Sequence, residues 1–395
     1  MPTQIKPSFF TLLLLISFAS VNAVLYTPAL PSIATAFDIS HDMAQLTMSW
    51  FLIGYAVGQL IYGPIANRFG RKPALYAGII LQIVSSLICV SAGMFHEFSI
   101  LILGRFMLAL GSGVGLKMTF TLVNECYEPK IASQKISYLM LAFAVTPGLG
   151  VALGGILNTH FGWISCFYAS AVYGLILFIL SMRLPETQTT LDLKALQIKH
   201  LWAGYSKQFK NKLLLAGGFL MGSCSCFIYV FAAVAPFIAI NSLGMNSAEY
   251  GFANLLPPLG LISGSLLSAR LSQKFALGSI VFTGILTSCV GVLWMIISIT
   301  LHAGAIFSLF APMIMIYFGL SLILANASVT ALSHVSDKSH GSAVMNFVNM
   351  GTATLVVLSL KFMPLHIGLL PIIYLILCSC MLLVYRWMMR QLVIL

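Results

Sequence analysis

The sequence predicts an all-α membrane protein of twelve transmembrane helices, in two six-helix halves related by pseudo-two-fold symmetry, with both termini in the cytoplasm. Three observations support this fold class. The 395 residues are 59% hydrophobic and only 7% charged, whereas soluble domains average about 25% charged residues. Apolar stretches of about 20 residues, the length that crosses a bilayer, follow one another along the chain. Lysine and arginine fall mostly in alternate links between these stretches.

The twelve apolar stretches have their centres near residues 22, 56, 84, 112, 147, 173, 226, 259, 289, 318, 352 and 377. With the N-terminus inside, the inner links hold 17 of the 20 lysines and arginines and the outer links hold none. Cytoplasmic links carry such an excess of positive charge, so we expect both termini in the cytoplasm. The net charge of +11 does not indicate nucleic-acid binding, because the bases lie in short links rather than on one solvated face.

The first apolar stretch also resembles a secretory signal peptide. Lys6, an apolar run and Val21-Asn22-Ala23 match the pattern of a cleavable signal. Its removal would leave an odd number of spans and spoil the charge bias of the links. We therefore interpret this stretch as the first transmembrane helix.

The longest polar break, residues 186–211, divides the chain into an N-terminal half, residues 1–185, and a C-terminal half, residues 212–395. Its alternating apolar and lysine residues predict an amphipathic helix on the inner leaflet, and a plain tether is the alternative. Two six-span halves are typical of transporters that bind substrate between the halves near the bilayer midplane. The sequence shows no metal cluster, phosphate-binding loop or Ser/His/Asp set, so we expect no enzyme, cofactor or metal.

Two segments carry turn or bend signals. A basic turn, residues 63–75, joins the second and third spans and reads Gly-Pro-Ile-Ala-Asn-Arg-Phe-Gly-Arg-Lys from Gly63 to Lys72. In the fifth span Pro147 predicts a bend, because proline removes a backbone hydrogen bond. Gly150 and Gly154 follow it at a spacing that lets another helix approach closely.

These motifs resemble those of the major facilitator superfamily, in its twelve-span drug:proton antiporter branch, and are similar to the Bcr/CflA-type (bicyclomycin/chloramphenicol-resistance) exporters. The turn matches the family pattern G-x-L-A-D-R-x-G-R-K except at Asn67, where aspartate is usual. The other matches are Arg105-Phe106 with Gly111-Ser112-Gly113, the antiporter signature at Pro147, Gly150, Gly154 and Gly155, Phe161-Gly162-Trp163, and Leu184-Pro185-Glu186-Thr187. The resemblance implies alternating access, export, a cavity-facing Arg105, and conformational or gating roles for Gly63, Asn67, Arg68, Gly70, Arg71, Lys72, Pro147, Gly150 and Gly154.

The chain departs from the family in its carboxylates. Val24 stands where many relatives carry an acid in the first span, and Asn67 replaces the aspartate of the turn. All nine acidic residues fall at span ends or in links, whereas Arg105, Lys117 and Lys361 fall within spans. A cavity with bases and no acids predicts an anionic substrate, such as a carboxylate metabolite or siderophore. The alternatives are pairing with helix carbonyls for Arg105 and snorkelling to the head groups for Lys117 and Lys361.

Further cavity residues are predicted from membrane depth and helical face, although membrane aromatics more often serve packing. They are Asn22, Tyr26, Tyr55, Gln59, Tyr229, Asn254, Tyr317 and Asn346. Proton coupling requires a group that titrates during the cycle, and the candidates are Glu125, Lys117 or the substrate itself.

The function predicted is therefore a secondary transporter that exports small molecules across a bacterial cytoplasmic (inner) membrane. Its expected partners are the substrate, protons and the lipid bilayer, with no nucleic acid, and we expect a monomer. Three alternatives stay open: a carboxylate or siderophore importer on the same fold, multidrug efflux of lipophilic drugs, and a non-transporting membrane receptor or scaffold.

Overall fold

The computed structural model describes residues 7–188, 191–192, 195–197, 205–333, 335 and 338–394, and every regular element in them is helical. The all-α class predicted from the sequence is confirmed. In these residues the α-helices are α1 (Phe9–Val24), α2 (Leu30–Ala36), α3 (His41–Phe69), α4 (Arg71–Phe95), α5 (Phe98–Ser112), α6 (Val114–Cys126), α7 (Pro129–Phe161), α8 (Ile164–Ser181), α9 (Lys212–Phe237), α10 (Ser247–Ala253), α11 (Pro257–Leu271), α12 (Leu277–Thr300), α13 (Ala311–Leu332), α14 (Lys338–Ser359) and α15 (Leu369–Ile394).

Eleven stretches of the described chain are long and apolar enough to cross a membrane. Some contain two helices in line: α1 with α2, α5 with α6, and α10 with α11. Helix α3 has 29 residues, which is also long enough to cross. Polar side chains such as Gln45, Thr47 and Gln59 lower the hydropathy of α3 and are buried in the bundle.

The two ends of the bundle differ in charge. We call the end with the basic turn the basic end and the other the opposite end. The basic end contains Gly70, between α3 and α4, and the start of α1. Near that start, the Tyr127 hydroxyl donates a hydrogen bond to the Pro7 carbonyl at 2.9 Å. Gly70 has a φ of +106°, which favours glycine, and a Cβ there would lie 2.7 Å from the Glu186 Oε2. The opposite end carries the connections from α2 to α3 and from α9 to α10.

The helices form two groups, because α1–α8 pack mainly against one another and α9–α15 do the same. Contacts between the groups come mainly from α7 with α10 and α11 and from α3 with α14. The exact division at residues 185 and 212 stays a prediction. An amphipathic helix was predicted for residues 186–211, of which 189–190, 193–194 and 198–204 lie outside the described residues. In the rest, residues 205–209 are helical, whereas 186–188, 191–192 and 195–197 are not, so the predicted helix does not extend through the described start of this segment.

The apolar core joins the groups at one end only. One large cluster contains residues of both groups, and the first group contributes to it from the opposite end, for example Tyr26, Met48 and Val151. At the basic end the first group has a separate core, which includes Leu12 and Leu122 and contains no residue of the second group. A third, smaller cluster at this end belongs to the second group and the adjoining Tyr205. The groups are therefore closed against each other at the opposite end and are less joined at the basic end.

Candidate functional site

Polar contacts reinforce the closure at the opposite end. Asn158 on α7 donates through its Nδ2 to Ser32 Oγ at 3.1 Å and to Ser247 Oγ on α10 at 2.9 Å. The Ser247 hydroxyl in turn donates to the Pro28 carbonyl at 3.2 Å. Ser247 belongs to the second group and its partners to the first, so these bonds cross between the groups. Neither the sequence motifs nor membrane depth and helical face had singled out Asn158, Ser32 or Ser247.

Close backbone approach accompanies these bonds. A Cβ at Gly155 would collide with the Ser247 carbonyl, and a Cβ at Gly148 would lie 2.9 Å from Pro258. Gly154 lies against the Leu25 carbonyl and Gly150 lies near Val24, so both face α1 instead. Glycines after Pro147 therefore allow α7 to pack on α1 and on the second group at once.

The centre of the bundle contains tyrosines from both groups. Tyr55 on α3 and Tyr229 on α9 lie within electrostatic range of each other, as do Tyr229 and Tyr317 on α13. Tyr55 and Gln59 are each 6% exposed. Tyr229 is half-buried and Tyr317 is buried. These predicted cavity residues therefore line the junction between the groups near mid-bundle.

Two other predicted cavity residues behave differently. Asn254 is buried, and its Nδ2 donates to the Tyr250 carbonyl of the preceding turn at 2.8 Å. The Asn254 amide therefore pairs with a carbonyl near the end of α10 and is not free to bind a substrate. Asn346 on α14 is half-buried.

Arg105 lies at the break between α1 and α2. Helix α1 stops at Val24, so its last carbonyls lack helical partners. The Arg105 Nη1 donates to the Asn22 carbonyl at 2.8 Å and Nη2 donates to the Ala23 carbonyl at 3.3 Å. The Thr27 hydroxyl donates to the Val24 carbonyl at 2.8 Å, and the Leu25 N–H donates to the Val21 carbonyl. All four terminal carbonyls of α1 are thereby paired.

Aromatic rings enclose the same guanidinium. Its Cζ lies 3.9 Å from the centroid of the Tyr26 ring and 4.4 Å from that of Phe51. The Nε donates to the Thr47 carbonyl at 3.4 Å, and the Tyr26 hydroxyl shares a 2.8 Å hydrogen bond with Thr47 Oγ1. Arg105 is only 1% exposed. A cation at a helix C-terminus is also favoured by the helix dipole.

Asn22 belongs to a buried polar cluster inside the first group. Its Nδ2 donates to the Phe18 carbonyl at 2.8 Å, and its Oδ1 accepts from Gln82 Nε2 at 3.1 Å and from the Ser170 hydroxyl. Ser86 and Ser170 share a further 3.0 Å hydrogen bond. Asn22 is 2% exposed, so in this conformation it does not reach an open cavity.

Lys117 is half-buried on α6, and its ammonium lies against Gly63 of α3. A Cβ at Gly63 would collide with it. The nearest charge that acts on it is that of Arg71, which has the same sign. Within the described residues no carboxylate pairs with Lys117, since the one ion pair there joins Arg71 to Glu125. Lys361 is exposed in a short 3₁₀ turn after α14.

Arg71 organises the basic turn. Its Nη2 and Nε donate to the two carboxylate oxygens of Glu125 at 2.7 and 3.3 Å, and its Nη1 donates to Asn67 Oδ1 at 2.9 Å. The Thr187 hydroxyl also donates to Glu125. Asn67 thus supplies the acceptor that an aspartate would supply, without the charge. The Glu125 carboxylate, one of the predicted proton-coupling groups, is thus already bound by Arg71 and Thr187.

Glu186 caps α4 from a distance in sequence. Its carboxylate accepts from the Arg71 and Lys72 backbone N–H groups at 2.9 and 3.0 Å, and from that of Gln188 at 3.0 Å. Burial by itself would raise the pKa of Glu186, but these donors and the Arg71 charge hold that pKa below its ordinary value. The Lys72 ammonium donates to the Met182 carbonyl at 3.1 Å, and Arg68 lies over the ring of Phe69 at 5.6 Å.

Comparison with protein families gives the chain its class. The family model described as Major Facilitator Superfamily matches residues 12–388. The chain belongs to the major facilitator superfamily. Its members' twelve-helix fold fits the helices described above, and the chain resembles a solved structure entitled "Crystal structure of D-xylose-proton symporter" with a TM-score of 0.78 at 16% identity, over 96% of both chains.

Curated relatives of this major facilitator are transporters. The chain is 25% identical to Multidrug resistance protein D of Escherichia coli over 88% of this chain and 87% of the relative. It is 28% identical to Multidrug transporter MdfA of Shigella boydii over 84% of this chain and 80% of the relative. An uncharacterized transporter of Rickettsia felis is 28% identical, over 67% of this chain and 64% of the relative.

The major facilitator class decides between several of the predicted functions. The protein is a secondary transporter of small molecules in a bacterial membrane, and it is not an enzyme. The antiporter-branch resemblance read from the motifs is confirmed by the multidrug relatives. The alternative of a non-transporting receptor or scaffold has no support among them.

Proposed function

We propose that this major facilitator exports small organic anions from the cytoplasm through a cleft that opens at the basic end. The observation that carries the proposal is the asymmetric core: one apolar cluster joins both groups at the opposite end, and separate clusters serve each group at the basic end. The positive-inside rule assigns the basic end to the cytoplasm. A transporter in this conformation would receive substrate from the cytoplasmic side.

Lys117 supports an anionic substrate. Its half-buried ammonium has no carboxylate partner in the described residues, and Glu125, the nearest acid along its helix, is bound by Arg71 and Thr187. An ionised side chain within a span costs about 2.5–3.5 kcal/mol on insertion scales and usually marks a transport path. An incoming carboxylate would neutralise this charge, whereas a lipophilic cation would be repelled.

Arg105 contributes less to substrate charge than the sequence suggested. Its guanidinium is occupied by carbonyls of Asn22, Ala23 and Thr47 and is enclosed by two rings. Of the two bases Arg105 and Lys117 expected in the cavity, only Lys117 is therefore available to a substrate in this proposal. A substrate with one carboxylate on an apolar or aromatic body fits this arrangement better than a polycarboxylate such as a siderophore.

The body of the substrate would contact the tyrosines at the junction of the groups. Tyr55, Tyr229 and Tyr317 offer aromatic faces and hydroxyl groups from three helices. Apolar and aromatic walls with a few polar groups are typical of small-molecule sites. We assign the coupling proton to Lys117 rather than to Glu125, because binding and release of an anion would change the electrostatic environment of the unpaired ammonium.

Transport into inverted membrane vesicles tests the proposal. With a pH gradient that is acidic inside, wild type should accumulate an aromatic monocarboxylate, and Lys117→Met should reduce uptake at least about tenfold, since one lost charge contact is worth ~1.4 kcal/mol or more. Lys274→Met, which removes a basic-end lysine between α11 and α12, is the matched control and should transport normally.

Two outcomes would contradict the proposal. Accumulation only in right-side-out vesicles would make the protein an importer. Wild-type carboxylate transport by Lys117→Met would show that Lys117 neither binds the substrate nor couples it to protons.

Multidrug efflux of neutral lipophilic molecules is a second candidate, favoured by the tyrosine-lined junction and by the multidrug relatives. It predicts that drug export is independent of Lys117 and falls when Tyr229 is replaced by alanine. Drug efflux in the two variants therefore separates the candidates.

A further inference from the structure

We propose that a groove between α1 and α7 at the basic end binds one anionic phospholipid. The groove has a volume of about 680 Å³, and it follows α7 from Ile131 to Val145, with Phe9 of α1 at its side. At 1.5 Å per residue these two positions lie about 21 Å apart. One leaflet contributes about 15 Å of hydrocarbon. The groove is thus long enough for an acyl chain and its head group.

The lining changes from polar to apolar along the groove. Gln134, Lys135 and Tyr138 lie near the basic end, and Leu141 and Val145 follow toward mid-bundle. A phospholipid has the same gradient from head group to acyl chain. The orientation of the groove therefore matches a lipid of the leaflet on the basic side.

Lys135 gives the groove a positioned positive charge. Its ammonium lies 4.7 Å from the centroid of the Tyr127 ring and 5.6 Å from that of Phe9. The Tyr127 hydroxyl is itself fixed by its bond to the Pro7 carbonyl. Within the described residues no carboxylate pairs with Lys135. The phosphate of an anionic lipid would supply the missing negative charge. A net-neutral lipid would bind more weakly, because its positive head group offsets the charge of its phosphate.

This groove faces the bilayer rather than the cleft. Tyr138, Val145 and Leu149 fall on one face of α7 at helical spacing, and Leu149 is 54% exposed at the level where the groups are closed. Gly148 faces the second group and Gly154 faces α1. At about 100° per residue, Tyr138 of the groove lies about 80° around α7 from Gly148 and about 160° from Gly154. The groove face therefore lies between the direction of the second group and that of α1, toward the bilayer, and we take lipid rather than transport substrate as its occupant.

Lipid binding to the purified full-length chain tests the inference. Native mass spectrometry in a neutral detergent would compare phosphatidylglycerol with phosphatidylcholine. Wild type should bind the first phosphatidylglycerol more tightly, and Lys135→Gln should weaken it about fivefold, the effect of one lysine near a lipid surface. Lys274→Gln, at the same end but outside the groove, should bind as wild type does. Ala142→Phe fills the groove while keeping Lys135 and should weaken both lipids.

Equal affinity of wild type for the two lipids would overturn the inference. So would a Lys135→Gln variant that elutes as folded protein and keeps the wild-type preference. Glycerol 3-phosphate should not displace phosphatidylglycerol, because it lacks the acyl chains; displacement at equal concentration would reassign the site to a soluble phosphate. Transport is not the readout, so failure here leaves the proposed function standing.

Discussion

Replacement of Arg105 by methionine is the sharpest test of how the first span is held at its break. The variant loses the donors to the Asn22 and Ala23 carbonyls, 2.8 and 3.3 Å from the guanidinium. In the part of the chain that the structure describes, no other hydrogen bond to these two carbonyls is formed, because α1 ends at Val24. The neighbouring Thr47 carbonyl has a helical partner and is less affected.

The expected cost follows from these losses. Each stranded carbonyl costs about 1–3 kcal/mol, and each lost ring contact, to Tyr26 and Phe51, costs about 0.5–2 kcal/mol. Relief of the buried charge offsets part of this sum, because desolvation of an ion costs several kcal/mol. We expect a net loss of about 2–4 kcal/mol in the free energy of unfolding, or a fall in Tm on the order of 5 °C.

The assay is thermal unfolding of the purified protein in detergent, followed by tryptophan fluorescence. Arg105→Lys should be intermediate, because an ammonium keeps the charge but lacks the planar fork that reaches two carbonyls. Arg183→Met removes an exposed arginine after α8 and should leave Tm unchanged. A wild-type Tm for Arg105→Met together with abolished transport would refute the reasoning and assign Arg105 to the substrate.

Two further predictions concern the ends of the bundle. The pKa of Glu186 is lowered in the folded protein, so its carboxylate contributes stability at pH values above its ordinary pKa of about 4.3, and that contribution is lost as pH falls through the lowered pKa. The gap in Tm between wild type and Glu186→Gln should hold from pH 7 to 5 and shrink below about pH 4; a gap that widens in acid would contradict the sign. Asn158→Ala removes the bonds to Ser32 and Ser247, each worth about 1 kcal/mol, and should speed hydrogen exchange in α10 roughly fivefold or more, whereas Asn124→Ala, whose amide bonds only its own helix, should not. Unchanged exchange in Asn158→Ala would show that apolar packing alone closes the opposite end.

The basic turn shows how far motif reading reaches. The sequence predicted a tight turn over residues 63–75, and those bounds were too wide. Helix α3 continues to Phe69 and α4 begins at Arg71, so the chain turns at Gly70 alone, where φ is positive. The sequence also shows that Asn67 replaces the family's aspartate, but it does not show how this replacement changes the contacts of the turn. Only the fold shows that Asn67 still accepts a hydrogen bond from Arg71, and that Glu125 supplies the charge from a position 54 residues further along the chain.

The contacts of the first span could not be predicted from the sequence. Asn22 was predicted to line a cavity from its depth and helical face, and a cavity-facing Arg105 was implied by the family resemblance. Asn22 instead contacts Gln82 and Ser170, and Arg105 pairs with carbonyls. Depth and face are local quantities, whereas these partners lie 60 to 148 residues away in the chain. A single sequence carries no record of such pairings.

The sequence by itself determined the all-α membrane class, the membrane spans and the distribution of bases, because hydropathy, span length and link charge are local properties. Its motifs also indicated the superfamily. Tertiary structure alone decided which end of the bundle is closed and that Asn158 and Ser247 join the groups there. It also decided that Arg105 pairs with helix carbonyls, and that no carboxylate among the described residues pairs with Lys117. These outcomes depend on contacts between distant helices, and such contacts exist only once the helices have packed.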